Sequence, residues 1–214
     1  AASIVGEEIN SSLSILRGAL GRSDSPETVV APRYAQALDR LHEIADVLIT
    51  FRSSKEDEAG PRDLNHTIRS LARRLVDLGR KKGVRVLFEF DLDPCRADFA
   101  PERFTRLLED LVTNAVEVSQ RGQRVWVRLQ HEPEHCLLSV TDEGPGVRED
   151  HLARIFTPFF TTKPDGHGLA LAAARKYLRE IDGDILVQNE PGKGAQFTIL
   201  IPREDVKGLL NGAN

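Results

Sequence analysis

The sequence predicts an α+β protein: an N-terminal antiparallel helical hairpin, a four-helix bundle as a dimer, followed by a two-layer α/β sandwich. Three observations carry this. Apolar residues recur at intervals of three and four through the first fifty-odd positions, a polar stretch containing Gly-Pro interrupts them, and helical and strand-like periodicities are mixed from about Pro61 to Pro202.

In the first helix Ile9, Leu13, Leu16 and Leu20 fall on one stripe, and Gly21 to Pro32 carries turn residues. Tyr34, Leu38, Leu41, Ala45, Leu48 and Phe51 form the stripe of a second helix, antiparallel to the first. One apolar stripe per helix cannot bury both faces of a hairpin, so a homodimer through the hairpin is expected. The helical domain is placed at residues 1–56, a linker at 57–62, the sandwich at 63–204 and a tail at 205–214.

Within the sandwich, Asp63 to Lys82 reads as a helix with Leu64, Ile68, Leu71, Leu75 and Leu78 inward. Its basic run, RSLARRLVDLGRKKGVR, falls on the outward face. VRVLFEFDL alternates as a strand, and PERFTRLLEDLVTNAVEVSQ is helical. RVWVRLQHE and CLLSVTDEG are strands, HGLALAAARKYLREI is a helix, and GDILVQNE and AQFTILIP are strands around PGKG. This order predicts a largely antiparallel sheet with helices packed on it.

An apolar fraction of 40% and 29% charged residues exclude a disordered chain. The apolar runs are too short and too interrupted to span a membrane, and the N-terminus lacks the pattern of a signal peptide, which places this part of the protein in an aqueous compartment. Any membrane link would come through segments absent from this chain. A net charge of −4 argues against nucleic acid as the main partner. Cys95 and Cys136 have neither the number nor the spacing of a disulfide framework or metal site and are read as buried thiols in a reducing cytosol. The abrupt helical start and the lack of methionine predict a piece of something longer.

Four segments carry chemistry together. EDLVTNA puts Asp110 and Asn114 on one helix face, a spacing that suits a carboxylate and an amide sharing a metal-bound phosphate. TDEGPGV ends a strand on Asp142, and Gly144 and Gly146 then allow a close backbone approach, which suits a planar ring held by a carboxylate; an ordinary strand-to-loop turn fits the same residues. PDGHGLALAAARKY sets Gly166 and Gly168 before a helix start, where unpaired amides and the helix dipole favour phosphates. EPGKGAQF reads by itself as a hairpin turn.

The order and spacing of these segments, with IFTPFFTTK between the second and third, resemble the ATP-binding domain of histidine kinases, in the superfamily shared with gyrase, the ninety-kilodalton heat-shock chaperones and the MutL repair proteins. The resemblance covers about 140 residues and is most specific in IFTPFFTTKPDGHGLAL, Ile155 to Leu171. It implies ATP and Mg2+ as ligands. Asn114 would hold the Mg2+ that bridges the phosphates, and Asp142 would accept a hydrogen bond from the adenine amino group in a pocket shaped by Gly144 and Gly146. Phe156, Phe159 and Phe160 would form the aromatic hinge of a short nucleotide lid, with core packing as the alternative for Phe156. Lys163 would reach the terminal phosphate, and Gly166, His167, Gly168 and Leu169 would line the phosphate cradle. Gly192 and Gly194 mark a last glycine box that is mostly structural.

The chain departs from the family pattern at Glu143 for asparagine, His167 for a small hydroxyl residue, Ala170 for glycine and Ala195 for threonine. Asp110 stands where related ATPases carry a glutamate base and kinases more often asparagine, which leaves room for ATP hydrolysis.

The hairpin resembles the family's dimerisation and phosphotransfer domain, with one residue changed. In VGEEINSSL, Glu7 takes the position of the phosphoacceptor histidine. A glutamate carries negative charge towards an anionic γ-phosphate and cannot form a phosphohistidine. Glu8, which in the family assists the histidine, is retained, whereas Ser11 replaces the Asn or Thr of kinases with phosphatase activity. Glu7 is native, or an engineered block, or the acceptor lies elsewhere, as at His42 of the second helix, followed by Glu43; a plain surface histidine is the more ordinary reading of His42. His66, His131, His135 and His151 lack a comparable setting. The resemblance thus implies the cytoplasmic catalytic core of a two-component sensor histidine kinase, passing phosphate towards a response-regulator receiver domain. The alternatives are a catalytically degenerate ATP-binding regulatory module and a slow ATPase using Asp110.

Overall fold

The computed structural model describes residues 60–204 except 92, 164, 165, 167 and 191. The expected hairpin, with Glu7, Glu8 and His42, lies outside the described residues, as does His167. In chain order the elements are β1 (Gly60–Asp63), α1 (Leu64–Lys82), β2 (Arg85–Phe90), β3 (Arg96–Phe99), α2 (Pro101–Val118), β4 (Arg124–His131), β5 (His135–Asp142), α3 (Glu149–Leu152), α4 (Ala170–Glu180), β6 (Asp184–Glu190) and β7 (Gly194–Pro202).

Local chemistry sets the helix ends. Asp63 caps α1 by accepting from Asn65 N at 2.9 Å. Gly83, at a φ of 74°, closes it with its amide turned back to the carbonyls of Arg80 and Gly79. α2 has no side-chain cap of its own, but Pro101 opens it and Tyr177 of α4 serves the buried N-cap residue: its hydroxyl accepts from Ala100 N at 2.9 Å and donates to Ala100 O at 3.2 Å. Arg103 lies 4.3 Å over the Tyr177 ring and pairs with Glu180 at 2.6 Å, which ties α2 to α4.

Five strands form one sheet in the order β2-β4-β5-β7-β6; β2 and β4 are parallel and every other pair is antiparallel. Strand alternation decides its two faces. Val125, Val127, Leu129, Leu138, Val140, Ile199 and Ile201 are buried with Phe104, Leu108, Leu111 and Val112 of α2 and Leu178 of α4 in one core, whereas Arg128, Gln130 and Gln196 stay at least partly exposed. Leu64, Ile68 and Leu75 of the α1 stripe are buried as expected, with Leu71 and Leu78 packed at the margin. The described chain is therefore an α+β two-layer sandwich.

Two features depart from the sequence reading. Gly60–Asp63 was expected partly as linker but pairs with β3 as a two-stranded antiparallel ribbon, an edge position that accommodates Pro61. Its partners lie more than thirty residues away, beyond the reach of local periodicity.

The second correction concerns the cysteines. Cys95 and Cys136 are buried, 1% and 0% exposed, but they are disulfide-bonded and not the thiols expected. They stand 41 residues apart in sequence; the turn into β3 and the start of β5 bring their Cα atoms to 5.8 Å. Asn65 holds the same turn, its Oδ1 accepting from Cys95 N at 3.3 Å, and Leu64 N donates to Cys95 O at 2.9 Å. The bond thus fastens the β1–α1 junction to the central strand. Closing a loop of this length stabilises a fold by about 4 kcal/mol, so opening the bond with a dithiol is expected to lower the melting temperature by about 10 °C. Melting curves with and without reductant check this, and coincident curves from protein shown by mass to be reduced would contradict it.

Candidate functional site

The site is built at the C-terminal end of β5. Asp142 is 4% exposed, and its Oδ1 accepts from Gly144 N at 2.8 Å and Ala195 N at 3.4 Å. Among the described residues no donor is bonded to Oδ2. Burial pushes the Asp142 carboxyl above its ordinary pKa, against the opposite pull of the two amides. The result is a fixed, largely dehydrated carboxylate with one oxygen left for a ligand.

Glycines make room around it. A Cβ on Gly144 would lie 2.8 Å from Asp142 Oδ1 and 3.1 Å from both Val118 O and its side chain, so the loop after β5 presses on the C-terminal turn of α2. At Gly146, whose φ is 74°, a Cβ would lie 2.8 Å from Asn189 Oδ1. Asn189 clamps the loop: its Oδ1 accepts from Val147 N at 2.5 Å and its amide donates to Val147 O at 2.6 Å. Neither Asn189 nor this clamp was anticipated, because a single asparagine in a strand has no local signal. Glu143, the departure beside Asp142, forms its ion pair with Arg124: its carboxylate accepts from Arg124 N at 2.9 Å and from the guanidinium Nε at 3.0 Å. Those bonds hold it below the ordinary carboxylate range.

The second half of the site lies on α2 and the segment before α4. Asn114 and Asp110 stand one helical turn apart on α2, and both are half-buried. Lys163 reaches α2 from the other side, and its ammonium donates to Asn114 Oδ1 at 2.7 Å and to the Glu117 carboxylate. Glu117 was missed, although its place three residues after Asn114 puts it on the same helical face. Phe160 packs edge-on against His151 at 5.3 Å and lies under Arg154 at 4.5 Å. Phe156 lies at the core margin under Arg175 at 4.8 Å, in line with its alternative packing role. Phe159 has a φ of 66°, unusual for a residue with a side chain, and a Cβ on Gly168 would meet Phe159 C and Phe160 O at 2.5 Å. Gly166 is equally closed in, its Cβ position 2.5 Å from Thr161 Oγ1, and Leu169 is buried beside the start of α4.

These residues suit a nucleotide. The unused oxygen of Asp142 can accept from an amino group on a planar ring, and the amide oxygen of Asn114 already accepts a cation, the ammonium of Lys163. A two-layer sandwich with a buried carboxylate at a strand end, beside glycine turns, is an arrangement that fits a nucleotide.

Comparison with known proteins agrees. Residues 100–205 match the family model described as histidine kinase-, DNA gyrase B-, and HSP90-like ATPase. The sensor histidine kinase ZraS of Salmonella typhi is 29% identical over 206 residues, covering 92% of this chain and 44% of the relative. Sporulation kinase E of Bacillus subtilis is 38% identical over 103 residues, 48% of this chain and 14% of the relative. Among solved structures, the nucleotide-free catalytic domain of histidine kinase ThkA superposes with a TM-score of 0.62 at 31% identity, over 68% of this chain and 98% of that one. ThkA in complex with the response regulator protein TrrA gives a TM-score of 0.71 at 26% identity, over 94% of this chain and 60% of the other. The chain belongs to the histidine kinase branch of this ATPase family. It spans less than half the length of ZraS. Among the described residues no helix is long and apolar enough to cross a membrane.

Proposed function

We propose that the chain is the cytoplasmic catalytic core of a two-component sensor histidine kinase, binding Mg-ATP for phosphoryl transfer towards a response-regulator receiver domain, with the usual phosphoacceptor histidine replaced by Glu7 and a homodimer formed by the hairpin. The observation that carries it is Asp142: buried, held by two amides through one oxygen, with the other available to the adenine amino group. Asn114 would hold Mg2+ through its amide oxygen, with Lys163 near the terminal phosphate and Gly166 and Gly168 along the phosphate chain. Mg2+, when bound, neutralises phosphate charge. The protein's own part is positioning: Asn189 fixes the adenine loop, and the backbone turn at Gly168 lets Phe159 and Phe160 close on the phosphate side. The pairing of ThkA with its regulator supports a receiver domain as partner.

Asp110 favours a second reading. It is half-buried one helical turn before Asn114, where a carboxylate base could activate water for slow hydrolysis.

Incubation with γ-labelled Mg-ATP separates the two. The protein as it stands is expected to take up no acid-labile label at position 7, and Glu7→His is expected to restore it. Label on the unaltered protein that is lost in His42→Ala would place the acceptor on the second helix. Phosphate release without labelled protein, abolished in Asp110→Asn, would establish the hydrolase instead. Failure of Glu7→His to label, with ATP bound, would refute the kinase reading.

A further inference from the structure

α2 ends without a basic residue in its last turn, although its terminal carbonyls carry the negative end of the helix dipole. Cations arrive there from other elements. Lys82, at the end of α1, donates to the Glu117 carbonyl, and Lys163 donates to the Glu117 carboxylate while it holds Asn114 Oδ1. The ammonium of Lys163 therefore sits between an amide oxygen and a carboxylate three residues apart on one helix face. In the nucleotide-binding reading, that amide oxygen is where a metal ion is needed.

The backbone of Lys163 is held as well. Its amide donates to Thr161 Oγ1 at 3.1 Å, and its carbonyl accepts from Gly166 N at 3.2 Å. A Cβ on Gly166 would lie 3.0 Å from Lys163 Cβ. The same residue is thus held through its side chain on α2 and through its backbone by Thr161 and Gly166.

We propose that Glu117 is a positioning residue that latches Lys163 to α2 in the nucleotide-free protein, and that a metal-bound nucleotide opens the latch by taking Asn114 from the ammonium. The proposal rests on the nucleotide-binding reading of the site. No covalent bond changes: a metal ion held at Asn114 would take the place of the ammonium, which would leave Lys163 to reach the phosphates. Glu117 stays behind as an anion beside the phosphate site. It opposes a metal-free polyphosphate more than a metal-bound one, so it makes binding depend on the metal.

The test compares Glu117→Gln with the unaltered protein. Lys163 and Glu117 side chains are 36% and 48% exposed, so the substitution removes a charge pair and no core packing. In the absence of nucleotide, amide hydrogen exchange across residues 161–169 is expected to speed up roughly threefold to fivefold in Glu117→Gln, the scale of a partly exposed ion pair. The charge swap Glu117→Lys with Lys163→Glu is expected to restore slow exchange. Calorimetry should show affinity for metal-free ADP rising by about fivefold in Glu117→Gln, and more than affinity for Mg-ADP. Unchanged exchange in the nucleotide-free variant, or equal gains for metal-free and metal-bound ADP, would overturn the latch. Absence of ADP binding by the unaltered protein would instead remove the nucleotide reading, a result distinguishable from either.

Discussion

Asp142→Asn is expected to lower affinity for adenine nucleotides by about a hundredfold while leaving the domain folded. The asparagine oxygen can replace Oδ1 and go on accepting from Gly144 N and Ala195 N. Its amide then points at the ligand, so a donor meets the adenine amino group, itself a donor, and a buried polar pair is left unsatisfied. The same change removes a buried charge. Because burial raises the Asp142 pKa above its unfolded value, the carboxyl favours the fold only while protonated, and that contribution is lost as pH rises through the folded pKa. Asp142→Asn should accordingly be at least as stable as the unaltered protein at neutral pH, with the difference closing below about pH 4. Calorimetry with ADP and melting curves at the two pH values measure both effects. A loss of affinity under about threefold would remove Asp142 from the adenine site.

Gly194→Ala is expected to destabilise the domain by about 3–5 kcal/mol, for two coincident reasons. Gly194 has a φ of 119°, which side chains rarely adopt, and its Cβ would lie 1.9 Å from Asp142 O and 2.9 Å from Asp142 C. Backbone cannot yield as a flexible side chain does, so β7 or the end of β5 must shift, and with it the carboxylate of the site. Gly192→Ala is the comparison. Its φ of 79° is also left-handed, but nothing lies within 4 Å of the added carbon, so a loss of about 1 kcal/mol is expected. Urea unfolding of the two variants decides the matter; equal losses would mean that the close approach to Asp142 contributes nothing.

Much of the domain was legible because its elements are locally amphipathic. The stripe of α1, the alternation of β4 and the Pro-initiated α2 each follow from spacing within one element, and the structure places them within a few residues of the expected bounds. α4 begins three residues later than expected, at Ala170, with Gly168 in a left-handed turn before it. α3, one turn long, has too short a period to register. The candidate site was legible where glycine or a carboxylate interrupts such a pattern, as at Asp142, Gly144 and Gly168. It was not legible at Asn189 and Glu117, which belong to otherwise ordinary strand and helix sequence.

The division has a physical basis. Periodicity, caps and turn residues act over a few positions, so the sequence by itself determined the order of the long helices and of the strands of the five-stranded sheet, the inward faces and the family to which the glycine-rich segments point. Tertiary structure alone decided what depends on distant partners: the β1–β3 ribbon, the bond between Cys95 and Cys136 across 41 residues, the pairing of Glu143 with Arg124, and the meeting of Lys163 with Asn114 and Glu117. Each brings together groups whose proximity is set by sheet order and helix packing, and no local pattern encodes that proximity.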